Sequence, residues 1–178
     1  MGVVRMGLMI NVDEGMGYTG RVRALVFEGD ISTGDIERAL ARPLDFPLVY
    51  EFTDHNLVTN LGRERMTKLI VAETTKAASH IALSTTALTP AMTDTVAPLV
   101  DRIATQALTI AQSYLTYYQR YVAYYTTTSF GSTGVAAAAL LDAASTAATT
   151  NLFADATISV SKSTTQSLIA EWQIQSTT

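Results

Sequence analysis

His55 and His80 are the only side chains in this sequence whose ordinary pKa lies close to neutrality, so any acid–base catalysis would be built on one of them. Glu51, Asp54, His55 and Glu64 form the one local group of carboxylates around an imidazole, the residue types from which a metal centre is assembled. A solvated polar turn explains the same four residues equally well. His80 stands directly before the apolar run Ile81–Leu83, where a strand-entry residue bonded to backbone is the simpler reading. The sequence has no cysteine, which removes thiolate nucleophiles and thiolate metal ligands. The glycine pair in Gly131–Gly134 lacks the following lysine and the strand-to-helix setting of a phosphate-binding loop. No catalytic residue, no metal ligand and no cofactor-binding residue converge, and the expectation is a protein that is not an enzyme and carries no cofactor.

The elements that would position any site come from periodicity. Arg21–Glu28 alternates, with Val22, Ala24 and Val26 opposite Arg21, Arg23 and Leu25, the pattern of a strand with one covered face. Asp35–Ala41 supports a helical turn or two, stopped by Pro43. Leu48–Phe52 reads as a short strand and Thr53–Asn56 as a turn. The central unit is an amphipathic helix near residues 59–72, with Leu57, Leu61, Met66, Leu69 and Ile70 on its apolar stripe and Thr59 or Asn60 as its cap, followed by the strand Ile81–Leu83. Ser84–Pro98 is a long polar loop of the kind that contacts a partner.

Beyond Arg102 the pattern turns to period two. Ile103–Ala111 and Tyr117–Thr127 read as strands around a turn at Ser113–Thr116, and Asn151–Val160 and Ser167–Gln175 are the last two. Leu168, Ala170, Trp172 and Ile174 face the core. Val135–Ala148 has strong intrinsic helix preference in a region that otherwise reads as sheet, and a short strand followed by a loop is expected there. The expected fold is therefore mainly β, antiparallel and sandwich-like, with one short α-helix. Residues 1–54 read as an N-terminal extension carrying a β-hairpin and a docking role, and residues 55–178 as the β domain.

Charge separates the two halves. The chain of 178 residues has 48% hydrophobic and 16% charged residues, and a net charge of −4. That balance lacks the basic footprint of a nucleic-acid binder, and the apolar runs, Val135–Leu141 among them, are far shorter than the ~20 residues of a spanning helix. A protein without nucleic-acid or membrane partners, and without a cleaved export signal, is expected. After Arg102 the only charged residues are Arg120, Asp142, Asp155, Lys162 and Glu171. A weakly charged, Thr-rich surface suits contact with other proteins as well as it suits water. Tyr114, Tyr117, Tyr118, Tyr121, Tyr124 and Tyr125 crowd one strand and cover both its faces. Cross-strand aromatic packing is the plainest reading; a subunit interface is the next, and a platform for stacking sugar rings the third.

The segment LVTNLGRERMTKLIVAETTKAASHIALSTTALTPAMTDT, Leu57–Thr95, resembles a stretch of tail-associated and other virion proteins of tailed bacteriophages. In that family a helix begins with a Thr-Asn-x-Gly turn, and a His-Ile-Ala strand and a Thr/Pro-rich loop follow. Arg102, the run LLDAAS at Leu140–Ser145, LFADATISVSK and the closing LIAEWQI follow in the family's order. Ser84 and Thr85 stand where the family has a Gly-containing turn, and the first fifty or so residues have no counterpart. The resemblance implies a structural protein of a virus particle that assembles with other virion proteins in the tail, neck or fibre-attachment region as a homo-oligomer. The alternative is a capsid decoration or host-glycan-binding module that uses the tyrosine-rich strand.

Overall fold

The computed structural model describes residues 17–70, 77–87, 89–91, 102–115, 118–142 and 152–177. Among the described residues there are nine strands: β1 (Gly17–Glu28), β2 (Leu48–Val58), β3 (His80–Ser84), β4 (Arg102–Ala107), β5 (Ile110–Leu115), β6 (Tyr118–Tyr125), β7 (Thr133–Leu141), β8 (Leu152–Lys162) and β9 (Gln166–Thr177). Two α-helices accompany them, α1 (Ile36–Ala41) and α2 (Asn60–Ile70). The strands form one sheet in the order β4-β3-β7-β8-β2-β1-β9-β6-β5, and every pairing between them is antiparallel.

This sheet curls into a nearly closed barrel-like form, so the expected antiparallel β class is present, whereas the two stacked layers of a sandwich are not separately defined. The closure rests on two adjacent residues. The Leu108 N–H donates to Ser79 O at 2.9 Å and the Thr109 N–H to Val122 O at 2.8 Å, so the chain leaves the β3 side and joins the β6 side within one peptide. β4 and β5 thus act as one bent strand whose halves pair with the two ends of the sheet, a device that removes two edges at once.

Inward and outward faces follow the strand period. Val22, Ala24 and Val26 of β1 pack with Tyr121, Ala123 and Tyr125 of β6 and with Leu168, Ala170, Trp172 and Ile174 of β9 in one interior cluster. Trp172 is fully buried, as its alternation predicts. The opposite face of the same three strands presents Leu25, Phe27, Val122, Tyr124 and Ile169, and α1 covers them with Ile36, Ala39 and Leu40. β7 is a strand throughout in spite of its alanines, because Ala137, Ala138, Ala139, Leu140 and Leu141 are all buried between β3 and β8. Tertiary burial outweighs a helix preference of a few tenths of a kcal/mol per residue.

Two expected turns are corrected. Thr53–Asn56 is not a turn, since β2 continues to Val58 with Thr53, Asp54, His55 and Asn56 opposite Arg23, Val22, Arg21 and Gly20. A boundary at residue 54 therefore falls inside a strand, and β1 lies in the middle of the sheet, paired along its whole length with β9. β5 runs to Leu115, through the residues expected to form a turn; residues 116–117, and most of the 84–98 loop, lie outside the described residues. Among the described residues no helix is long and apolar enough to cross a membrane.

The signature around Thr59 has a clear structural role. The Thr59 hydroxyl accepts from the Gly62 N–H at 3.0 Å, capping α2, and donates to Leu152 O at 2.7 Å, tying the helix start to β8. A Cβ on Gly62 would lie 2.0 Å from Phe153 O, so glycine alone allows this approach. Met66 then carries α2 into the interior cluster.

Candidate functional site

The residues whose types could do chemistry are held in separate contacts. His55 is on β2, with its backbone N–H bonded to the Asp54 carboxylate; Glu51 is paired with Arg23, and Glu64 with Lys68. His80 opens β3, and burial pushes its imidazole below the usual histidine range. Its Nδ1 lies 2.8 Å from Ser79 Oγ, but that hydroxyl donates to Asp142 O at 2.7 Å, so the Ser79 proton is directed away from the imidazole. Among the described residues no three His, Asp or Glu side chains are grouped for a metal ion.

The tyrosines are divided between two environments. Tyr121 and Tyr125 point into the barrel, at 2% and 0% exposure, with their hydroxyls bonded to Gln119 Oε1 and Ile81 O. Tyr124 lies under α1, receiving the Ile31 N–H at 2.7 Å and donating to Asp30 Oδ1 at 3.0 Å. Tyr114 belongs to β5, and Tyr117 lies outside the described residues. Of the tyrosines whose side chains are described, Tyr118 is the one in this strand that opens onto a surface hollow.

That hollow lies on the outer surface beside α1. α1 covers only half of the outer face of β1, β9 and β6. The uncovered half forms two adjoining depressions that share Tyr118 and Gln173. The first, about 450 Å³, is lined by Thr19, Gly20, Arg21, His55, Tyr118, Gln173 and Gln175. The second, about 350 Å³, runs along the α1 edge past Leu40 and Ala41.

Its floor is charged. Glu171 is 3% exposed, with Arg23 Nη1 3.8 Å from one carboxylate oxygen and Arg120 Nη1 3.9 Å from the other. Both arginines are also tied to their surroundings: Arg23 bonds Glu51 at 2.7 Å and Leu40 O at 2.9 Å, and Arg120 pairs with Glu37. The Leu40 carbonyl belongs to the last turn of α1, where a cation complements both the unpaired carbonyl and the helix dipole. Glu171 Oε2 accepts no hydrogen bond from any described residue.

The sequence held a faint trace of this group, since Arg120 and Glu171 interrupt otherwise apolar or uncharged strands. Nothing in their spacing announced that Glu171 would lie between Arg120 and Arg23. Comparison with protein-family models, with curated proteins and with solved structures finds no match for this chain.

Proposed function

We propose that this chain is a structural component of a tailed virus particle, acting by assembly with other virion proteins in the tail, neck or fibre-attachment region and forming a homo-oligomer. One surface observation carries the assembly part. Of the charged side chains beyond Arg102, Arg120, Asp155, Lys162 and Glu171 are buried, while the exposed positions of β8 are Thr157, Ser159 and Ser161. Next to them, Val49 and Tyr50 of β2 are exposed at 52% and 47%. An outer wall of hydroxyl and apolar groups without charge is cheap to desolvate, and self-complementary burial in a closed symmetric contact suits it. The virion setting is supported by the ordered resemblance from Leu57 to Thr95 and through the last two strands.

The β2–β8 junction adds a geometric reason. Only Leu57 and Val58 pair with β8, opposite Asp155 and Ala154, and from there towards Val49 the strands part around a hollow of about 480 Å³. Light scattering over a range of protein concentrations tests the reading. A discrete oligomer that dissociates on Val49→Lys together with Ser159→Lys is the expected result; a monomer at every concentration counts against self-assembly.

A further inference from the structure

We propose that the double hollow on the outer face of β1, β9 and β6 is a binding site for an acidic oligosaccharide, with Tyr118 and Gln173 at its centre. This inference goes beyond assembly and does not depend on the number of subunits.

The first support is a set of polar groups without partners. Several charged side chains of the described surface are paired: Arg23 with Glu51, Arg120 with Glu37, Lys68 with Glu64, Arg38 with Asp35. In the larger hollow, Arg21, Gln173, Gln175, the Tyr118 hydroxyl and the His55 ring make no hydrogen bond or ion pair with any described residue. These are the groups that recognise sugars: planar amides and a guanidinium span neighbouring hydroxyls, and an aromatic ring offers a face to the C–H side of a pyranose.

The second support is the orphaned acceptor. Glu171 Oε2 is buried at the floor of the smaller hollow and accepts nothing from a described residue. Both flanking arginines lie 3.8–3.9 Å away, beyond hydrogen-bond reach, so the vacant lone pairs of Oε2 can take a neutral donor. A sugar hydroxyl donates without adding charge to a centre that already holds two arginines and three carboxylates.

Charge selects the class of sugar. Arg21 and His55 are cross-strand neighbours in the β1–β2 register, and neither side chain has a carboxylate partner. A carboxylate carried by the ligand would supply one. The depressions, at about 450 and 350 Å³, each have the size of a small-molecule site, and their continuity suits a ligand of more than one ring. An extended peptide fits less well, because β1 and β9 are each paired on both sides and offer no open backbone edge to augment.

Titration calorimetry of the full chain with tetragalacturonate, and with its neutral methyl ester, tests the site. The acid probe is expected to bind saturably, with Arg21→Gln weakening it about tenfold relative to the ester, and Gln173→Ala or Tyr118→Ala weakening both probes. Thermal unfolding checks that each variant is folded. Arg21 is exposed and Gln173 half-buried, so these two carry the test if Tyr118→Ala does not fold. No saturable binding of either probe overturns the proposal. So does binding that is unchanged in Arg21→Gln and Gln173→Ala, or that falls equally in Lys68→Gln on the remote helix α2, which would mark general charge attraction.

Discussion

The Tyr125 hydroxyl donates to Ile81 O at 2.7 Å, joining β6 to β3 through the inside of the barrel at the point where the sheet closes. Both residues are fully buried, and the edge-to-face contact of Tyr125 with Phe130, at 5.9 Å, holds the ring from the other side. Tyr125→Phe keeps the ring contact and deletes the bond, so a loss of about 1–2 kcal/mol in denaturant unfolding is expected. Burial also raises the Tyr125 pKa well above the ordinary tyrosine value. The unfolded chain then loses its proton first, so stability must fall as pH rises past the unfolded value of about 10. Tyr125→Phe is expected to flatten that alkaline arm. An identical alkaline slope in the variant would assign it to other groups.

Gly62 and Phe153 make the second testable contact. A methyl group on Gly62 would lie 2.0 Å from the Phe153 carbonyl oxygen and 2.8 Å from its carbon, and neither is the end of a flexible side chain. Helix propensity alone would reward Gly62→Ala by about 1 kcal/mol. The clash is expected to reverse the sign and cost about 3 kcal/mol, with α2 shifted from β8. Thr59→Ala removes a cap and the bond to Leu152 O, for a loss of about 1–2 kcal/mol. A more stable Gly62→Ala variant would mean that α2 does not dock on β8 this closely.

The strands were legible because burial on one face writes period two into the sequence. Val22, Ala24 and Val26, and Leu168, Ala170, Trp172 and Ile174, are interior as their alternation requires. The α2 cap was legible from Thr59 and Asn60, and the structure chooses Thr59. Closure was not legible, because Leu108 and Thr109 carry no turn chemistry: the change of partner lies in the direction of two backbone N–H groups. The cleft was hidden for a similar reason. Its residues come from β1, β2, β6, β9 and α1, and only the register places Arg21 by His55 and Arg23 by Glu171. The tyrosines crowd one stretch of sequence, but period two sends Tyr121 and Tyr125 inward and leaves Tyr118 at the cleft.

Arg23 should hold α1 on the sheet. It reaches Glu51, Leu40 O and Glu171 from a single β1 position, while its side chain is 16% exposed. Arg23→Ala is expected to cost about 3 kcal/mol, since it leaves the buried Glu171 with Arg120 as its remaining cation and the Leu40 carbonyl unpaired. Arg23→Ala combined with Glu171→Leu should recover part of that loss, because the stranded charge is removed as well. Equal losses in the single and double variants, in a double-mutant cycle of unfolding free energies, would show that Arg23 acts through α1 alone.

Asp30 supplies the acid counterpart of Tyr125. Its carboxylate accepts the Thr127 N–H at 2.8 Å, the Thr127 hydroxyl at 3.0 Å and the Tyr124 hydroxyl at 3.0 Å. The backbone bond from Thr127 leads these interactions in holding the Asp30 pKa below its usual value, with Lys162 contributing charge. A depressed carboxylate stabilises the fold above the unfolded pKa of about 4, and that contribution is lost as pH falls through the lower, folded value. Asp30→Asn is therefore expected to reduce stability at neutral pH and to flatten the acid arm below about pH 4. Because Asp30 is exposed, the neutral-pH loss should stay under about 1 kcal/mol. The same loop is held from below by Lys162, whose ammonium donates to Thr127 O at 3.1 Å and Phe130 O at 3.0 Å. If Asp30→Asn leaves the acid arm unchanged, Lys162 alone anchors the loop, and Lys162→Met should then be the more damaging substitution.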